Sequence, residues 1–360
     1  MRRRSTGCRR HAISAGVIAG VVALSACGSA AAPRASVNVY AATMSKLSPA
    51  VAALPERVYV ADAGSGGVTV VDARSGRITA LLLPGLSINA IVASWDLHRL
   101  YALSAADDEI VPIDASTLRA GTSIRVSHPD ELYFSPDGRE GVVIDAAART
   151  LDVRAQPDFG LERRVMIGCA ATSLDFTADG TDAVATCPSA STIVEVALAT
   201  GRVVRRDMVG GNPTSIRLDP TGRAFFITDH LLSQVDVVDA AALGQPDVIV
   251  TENDPSALAL SRDTHSFDVA NQGSDSVSVI SVAHRERTAD LYLRGGFAPD
   301  GIQVSADGRT LWMSDSADKV IGTLSAGRPG GRVAVPAAAG GILVWPQPGR
   351  HSLGGAGLMR

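Results

Sequence analysis

Apolar and polar residues alternate with a period of two along most of the chain, in short runs separated by Gly, Ser and Asp. That pattern predicts half-buried β-strands, and the 3.6-residue spacing of an amphipathic helix is nowhere sustained. A polar tag punctuates the runs. It reads Ser94-Trp95-Asp96-Leu97-His98-Arg99, Ser135-Pro136-Asp137-Gly138-Arg139, Thr177-Ala178-Asp179-Gly180-Thr181 and Asp219-Pro220-Thr221-Gly222-Arg223. It returns as Ser261-Arg262-Asp263-Thr264-His265, Ser305-Ala306-Asp307-Gly308-Arg309 and Trp345-Pro346-Gln347-Pro348-Gly349-Arg350. Successive tags end 40, 42, 42, 42, 44 and 41 residues apart. So steady a period marks a repeat architecture, with Asp-Gly supplying the positive-φ residues of a tight hairpin turn.

Each unit offers four strands: one before the tag (Asp130–Phe134), one after it (Arg57–Val60), a third beyond a Gly/Ser/Asp tip (Val68–Asp72) and a fourth (Arg77–Leu81). Seven such units predict an all-β, seven-bladed β-propeller of four-stranded antiparallel blades. The first unit lacks a pre-tag strand, and the chain ends with a surplus one, Gly341–Trp345. The C-terminal strand is therefore expected to join the N-terminal blade and close the ring, leaving no blade interface unpaired.

Two segments carry a family likeness. Arg57–Asp62 with Gly67–Asp72, the tag Ser135–Arg139 and the stretch Val269–Ile280 resemble the YVTN-type propeller repeat over residues 56–350. Val344–Arg350 resembles the ending of a group of actinobacterial propeller lipoproteins, mostly uncharacterised. This second likeness implies a fold and a location and no activity.

The N-terminus reads as an address. Arg2-Arg3-Arg4 and Arg9-Arg10 precede an apolar stretch, Ile13–Ala23, which ends in Leu24-Ser25-Ala26-Cys27. This is the layout of a secretory signal, and the last tetrapeptide resembles a bacterial lipobox. Residues 1–26 are thus expected to be a lipoprotein signal peptide and Cys27 the lipidated residue, anchored by its acyl chains to the extracytoplasmic side of the cell membrane. Residues 27–55, rich in Ala, Ser and Pro, read as a tether, 56–350 as the propeller and 351–360 as a tail. Elsewhere no apolar run is long enough for a membrane-spanning helix.

Processing changes the charge. The chain has 33 basic and 37 acidic residues; residues 1–26 hold five Arg and no acid, so the mature chain is at −9. That balance argues against a nucleic-acid partner. It also leaves two cysteines, Cys169 and Cys187, in a compartment where disulfides persist. Counted outward from the Asp179-Gly180 turn they lie near the open end of one hairpin, so a bridge between them is expected.

One face of the ring, built from the tips and the lead-ins to the inner strands, collects twelve acids against three bases. Such a face favours a cationic ligand, an unknown protein or envelope component. Many of these acids sit in turns, where Asp commonly caps its own backbone. Nearest the channel mouth are Asn89, His128, Asp130, Asn212, Asp254 and Asp300, whose oxygens suit a divalent cation or an amine; no other cofactor is implied. No nucleophile elbow, zinc-hydrolase motif or phosphate loop is present. The chain therefore reads first as a binding scaffold without assigned catalytic residues. The alternative, implied by the resemblance since some propellers with this repeat open sugar lactones, is a lactonase-like hydrolase. In it a channel-mouth acid acts as general base on water, with or without a metal cation; His128 with Asp130 or Asp300 are the candidates.

Overall fold

The computed structural model describes Leu47 and residues 51–64, 66–336 and 339–347, together with the backbone of two short strands, Ser352–Gly354 and Leu358–Met359. Cys27, the signal peptide and most of the tether lie outside the described residues.

Seven four-stranded antiparallel sheets form a ring, and in each the strands lie in the order inner, second, third, outer. The inner strands of blades two to seven are Ala90–Ala93, Glu131–Phe134, Ser173–Phe176, Pro213–Leu218, Pro255–Leu260 and Gly301–Val304. Blade one takes its inner strand from the far end of the chain. Ala339–Trp345 pairs with Arg57–Asp62, in the register Val58↔Val344, Tyr59↔Leu343 and Val60↔Ile342. The expected closure is thus observed. Gly340 is required there, since a Cβ on it would meet the Asn89 carbonyl oxygen of blade two at 2.7 Å.

The blades are held face to face by apolar side chains. At one equivalent position of every inner strand stands Ile or Leu: Ile91, Leu132, Leu174, Ile216, Leu258, Ile302 and Ile342, all buried. Burying such a side chain stabilises a fold by about 1.5–3 kcal/mol, so these seven, one to each wedge, make the ring cooperative.

The tag turns differ in detail from expectation. Only the glycine position is left-handed (Gly138, φ 72°; Gly180, φ 71°; Gly222, φ 73°; Gly308, φ 74°), and Leu97 and Thr264 adopt the same conformation without glycine. The Gly138 amide donates to the Ser135 carbonyl (2.8 Å), and Ser135 Oγ donates to Asp137 Oδ1 (2.7 Å). The turn is therefore an ordinary four-residue turn whose fourth residue is left-handed, and its Asp serves as a hydrogen-bond acceptor.

Past the closing strand, Ser352–Gly354 pairs with Leu358–Met359 and, at Gly354↔Tyr133, with the inner edge of blade three.

Candidate functional site

The second strand of each blade ends at the tip, and the seven terminal residues are Asp62, Ser104, Asp145, Cys187, Asp229, Asn271 and Asp315, all buried. The four carboxylates cap the turns that follow. Asp62 accepts from the Gly64 amide (2.7 Å), Asp145 from Ala148 (2.7 Å), Asp229 from Leu231 and Leu232 (3.1 and 2.9 Å), and Asp315 from Asp318 (3.0 Å). A large part of the acidity of this face is therefore structural.

A second ring borders the channel mouth, at the mouth end of the inner strands. Here polar side chains lace neighbouring blades together. Asn89 Nδ2 donates to the carbonyls of Pro129 (3.1 Å) and Asp130 (2.6 Å), Thr172 Oγ1 to that of Thr214 (2.8 Å), Thr214 Oγ1 to that of Ser256 (3.4 Å) and Ser256 Oγ to that of Pro299 (3.0 Å). Two members, Asp130 and Asp300, are carboxylates and have no proton to donate across. Each turns back to its own tip instead: the Ala146 amide donates to Asp130 Oδ2 (2.7 Å) and the Ser316 amide to Asp300 Oδ2 (2.9 Å).

Of the six mouth residues singled out above, the fold joins three. Asn89 is bonded to Asp130 as described, and His128 Nδ1 lies 3.1 Å from Asp130 Oδ2. Asp145 completes a group with His128 and Asp130, whose ligand atoms all lie within 4.8 Å of one another. This His and two carboxylates are a donor set that can hold a metal ion. Desolvation lowers the affinity of His128 for its proton, but the hydrogen bond and charge of Asp130, with the charge of Asp145, outweigh it and leave the pKa raised.

The other three serve their own blades. Asp300 accepts from Ser314 Oγ (2.6 Å) and from Ser316 Oγ, and burial, only partly offset by these bonds, raises its pKa. The Asn212 amide donates to Asp229 (2.9 Å). The Asp254 carbonyl accepts from the Gln272 amide (2.9 Å), and its carboxylate lies over Gly273, where a Cβ would come within 2.5 Å of Oδ2. Asn212 and Asp254 are also offset, standing level with His128, two residues before the mouth ring.

Beneath Asp130 is a residue that the sequence pattern did not single out. Glu131 is the first residue of the inner strand, where other blades carry Ala90, Ser173, Ser215, Ala257, Gly301 and Gly341. Its Oε2 is buried without a hydrogen-bond partner. Burial pushes its pKa up to about 8, against the opposing pull of Arg217 in blade five and with the help of Asp130. Only alignment of the blades by strand register would have exposed it. Tyr133, two residues further along the same strand, has its hydroxyl 3.3 Å from Ser173 Oγ.

Concave grooves are found on the opposite face. One of about 610 Å3 runs between blades three and four and is lined by Ser135, Asp137, Glu140, Asp179 and Leu198; another, of about 340 Å3, lies between blades seven and one against Glu56, Arg74 and Asp307. The Cys169–Cys187 disulfide is formed, within blade four.

No protein-family model and no curated protein matches the chain. Solved structures do. A functionally unknown protein from Desulfotomaculum acetoxidans superposes with a TM-score of 0.70 at 15% identity, over 81% of this chain and 99% of that one. A putative 6-phosphogluconolactonase from Bacteroides uniformis gives 0.67 at 16% identity, over 81% and 99%. The hydrazine synthase of Kuenenia stuttgartiensis gives 0.62 at 16% identity, over 73% and 90%. At these identities the likeness is one of fold.

Proposed function

We propose that this chain is a lipid-anchored, extracytoplasmic binding scaffold whose channel mouth takes up a cationic group of a protein, peptide or envelope component. The observation that carries the reading is the blade-three mouth. There His128, Asp130 and Asp145 bring ligand atoms within 4.8 Å of one another, and Glu131 beneath Asp130 has a buried oxygen with no partner. A buried unpaired acceptor is costly, by about 1–3 kcal/mol, and a ligand ammonium or guanidinium would satisfy it. The location rests on the Leu24–Cys27 tetrapeptide and on the likeness of Val344–Arg350 to the ending of actinobacterial propeller lipoproteins, and the blade-four disulfide suits an oxidising compartment.

The test is a titration of the protein with a Lys-rich peptide at several salt concentrations. Salt-dependent binding that falls about tenfold in Asp130→Asn/Glu131→Gln is expected; equal binding by both proteins would refute the site.

A second reading is favoured by one distance. His128 Nδ1 at 3.1 Å from Asp130 Oδ2 is the pairing of a general base with the carboxylate that orients it, and one structural neighbour is a putative 6-phosphogluconolactonase. In that case the protein hydrolyses sugar lactones and His128→Gln abolishes turnover. A lactone panel with and without chelator decides it, since no turnover in either condition removes this reading.

A further inference from the structure

We propose that the channel-facing edge of blade three's inner strand is a binding edge for an extended, uncharged peptide segment, and that residues 352–359 of this chain are its occupant. The edge lies inside the ring, below the mouth, and its occupation does not depend on what the mouth takes up.

The inner strand Glu131–Phe134 pairs by one edge with Glu140–Asp145, in the register Leu132↔Val143 and Tyr133↔Val142. Its other edge faces the channel. An open strand edge presents a row of unpaired N–H and C=O groups, a template for a further strand. Among the described residues, six of the seven sheets stop at the inner strand. In blade three the sheet goes on. Ser352–Gly354 lies against the inner strand and Leu358–Met359 beyond it, which makes six strands where the other blades have four. Peptide recognition by strand addition has this form, with main-chain hydrogen bonds as the source of affinity.

The register fixes the direction of entry. Gly354 pairs antiparallel with Tyr133. Glu131 stands at the mouth end of the inner strand and Phe134 at the tag end, so Ser352–Gly354 runs from the tag face toward the mouth. Ring closure delivers the chain to that entrance, since Ala339–Trp345 ends at the tag face with Trp345 opposite Arg57. While the segment is bound, the channel is obstructed at the level of Tyr133.

The sequence of the segment suits the place. Ser352-Leu353-Gly354-Gly355-Ala356-Gly357-Leu358-Met359 carries no charge, and half of it is Gly or Ala. A charged side chain would be costly to desolvate within the ring, whereas a paired backbone satisfies its own polar groups. Glycine also permits the close approach of one backbone to another.

Amide hydrogen exchange is compared in three proteins carrying Cys27→Ser: the full chain, the full chain with Gly354→Pro, and a chain ending at Arg350, which retains Ala339–Trp345. Proline has no amide to donate and interrupts strand pairing. Exchange over Glu131–Phe134 is expected to be about tenfold faster in both variants, with Pro255–Leu260, the inner strand of blade six, unchanged. A synthetic peptide of residues 351–360 in large excess should restore protection in the shortened chain, and the same peptide carrying Gly354→Pro should not. Equal exchange over Glu131–Phe134 in the three proteins overturns the proposal. Equal acceleration of both inner strands also overturns it, since that marks a loosened ring rather than an emptied edge. Failure of the peptide to restore protection, or restoration by both peptides alike, removes strand pairing as the mode of binding and overturns it as well.

Discussion

Cys169 is joined to Cys187 where two other blades tie the same segments by a hydrogen bond, so that the disulfide is the covalent form of a repeated latch. In blade five the lead-in to the inner strand is tied to the tip by the Asn212 amide donating to Asp229 (2.9 Å), and in blade seven by the Ala298 amide donating to Asp315 (2.9 Å). Cys187 stands at the position of Asp229 and Asp315, and has no carboxylate to accept that amide.

The bridge closes a loop of 19 residues, its ends 18 apart in sequence, which corresponds to about 3 kcal/mol of chain-entropy stabilisation. Cys169→Ser/Cys187→Ser should be less stable by about that amount in chemical denaturation. The denatured, unreduced protein should show no titratable thiol, and two free thiols would contradict the assignment.

The protein should become less stable as pH rises from about 5 to 8. Burial raises the carboxyl of Glu131 to about 8 and, in blades five and six, those of Asp236 and Asp268 to about 7. In this window the folded chain holds protons that the unfolded chain has released, so raising the pH favours unfolding. His128, raised by Asp130 and Asp145 against its desolvation, contributes in the same direction, since its stabilisation is lost as pH passes its folded pKa. Carboxylates that folding lowers, such as Asp263 and Asp307, act only in more acidic solution. Melting curves at pH 5.5 and 8 check the sign, and Glu131→Gln should flatten the difference. A melting temperature that climbs with pH would contradict the protonation of these groups.

Asn89 is expected to matter for the ring as well as for the mouth. Its amide donates to two carbonyls of blade three, while its Oδ1 accepts from the Ala105 amide (2.8 Å). Asn89→Ala should cost about 2–3 kcal/mol, because each of these backbone groups loses its partner in a half-buried place. Asn89→Asp keeps the acceptor, loses the donor and adds a charge next to Asp130. It should be the more harmful at neutral pH and recover in part in mild acid; the two variants' unfolding curves at pH 5 and 7.5 measure this.

The architecture was legible because it depends on features that repeat: the period of the tags, the two-residue alternation and the missing strand of the first unit matched by Gly341–Trp345. The chemistry was less so, because an acid in a tip looks the same whether it caps a turn or faces a ligand. Asp145 and Asp229 are separated only by their surroundings, the first beside His128 and Asp130, the second folded over Gly211. Glu131 was hidden for another reason. It occupies a strand position that reads as part of the alternation until the blades are aligned by register, when it stands out among Ala, Ser and Gly.

The mouth, its latches and the inter-blade contacts all depend on a ring closed by its own C-terminal strand. The decisive measurement is therefore the thermal unfolding of two truncated chains. A chain ending at Arg350 keeps the Ala339–Trp345 strand and should melt cooperatively, near the intact protein. A chain ending at Pro336 lacks that strand, leaves Arg57–Asp62 without its inner neighbour and should lose the cooperative transition altogether; if it unfolds at the same temperature as the intact protein, the ring is not closed in this way.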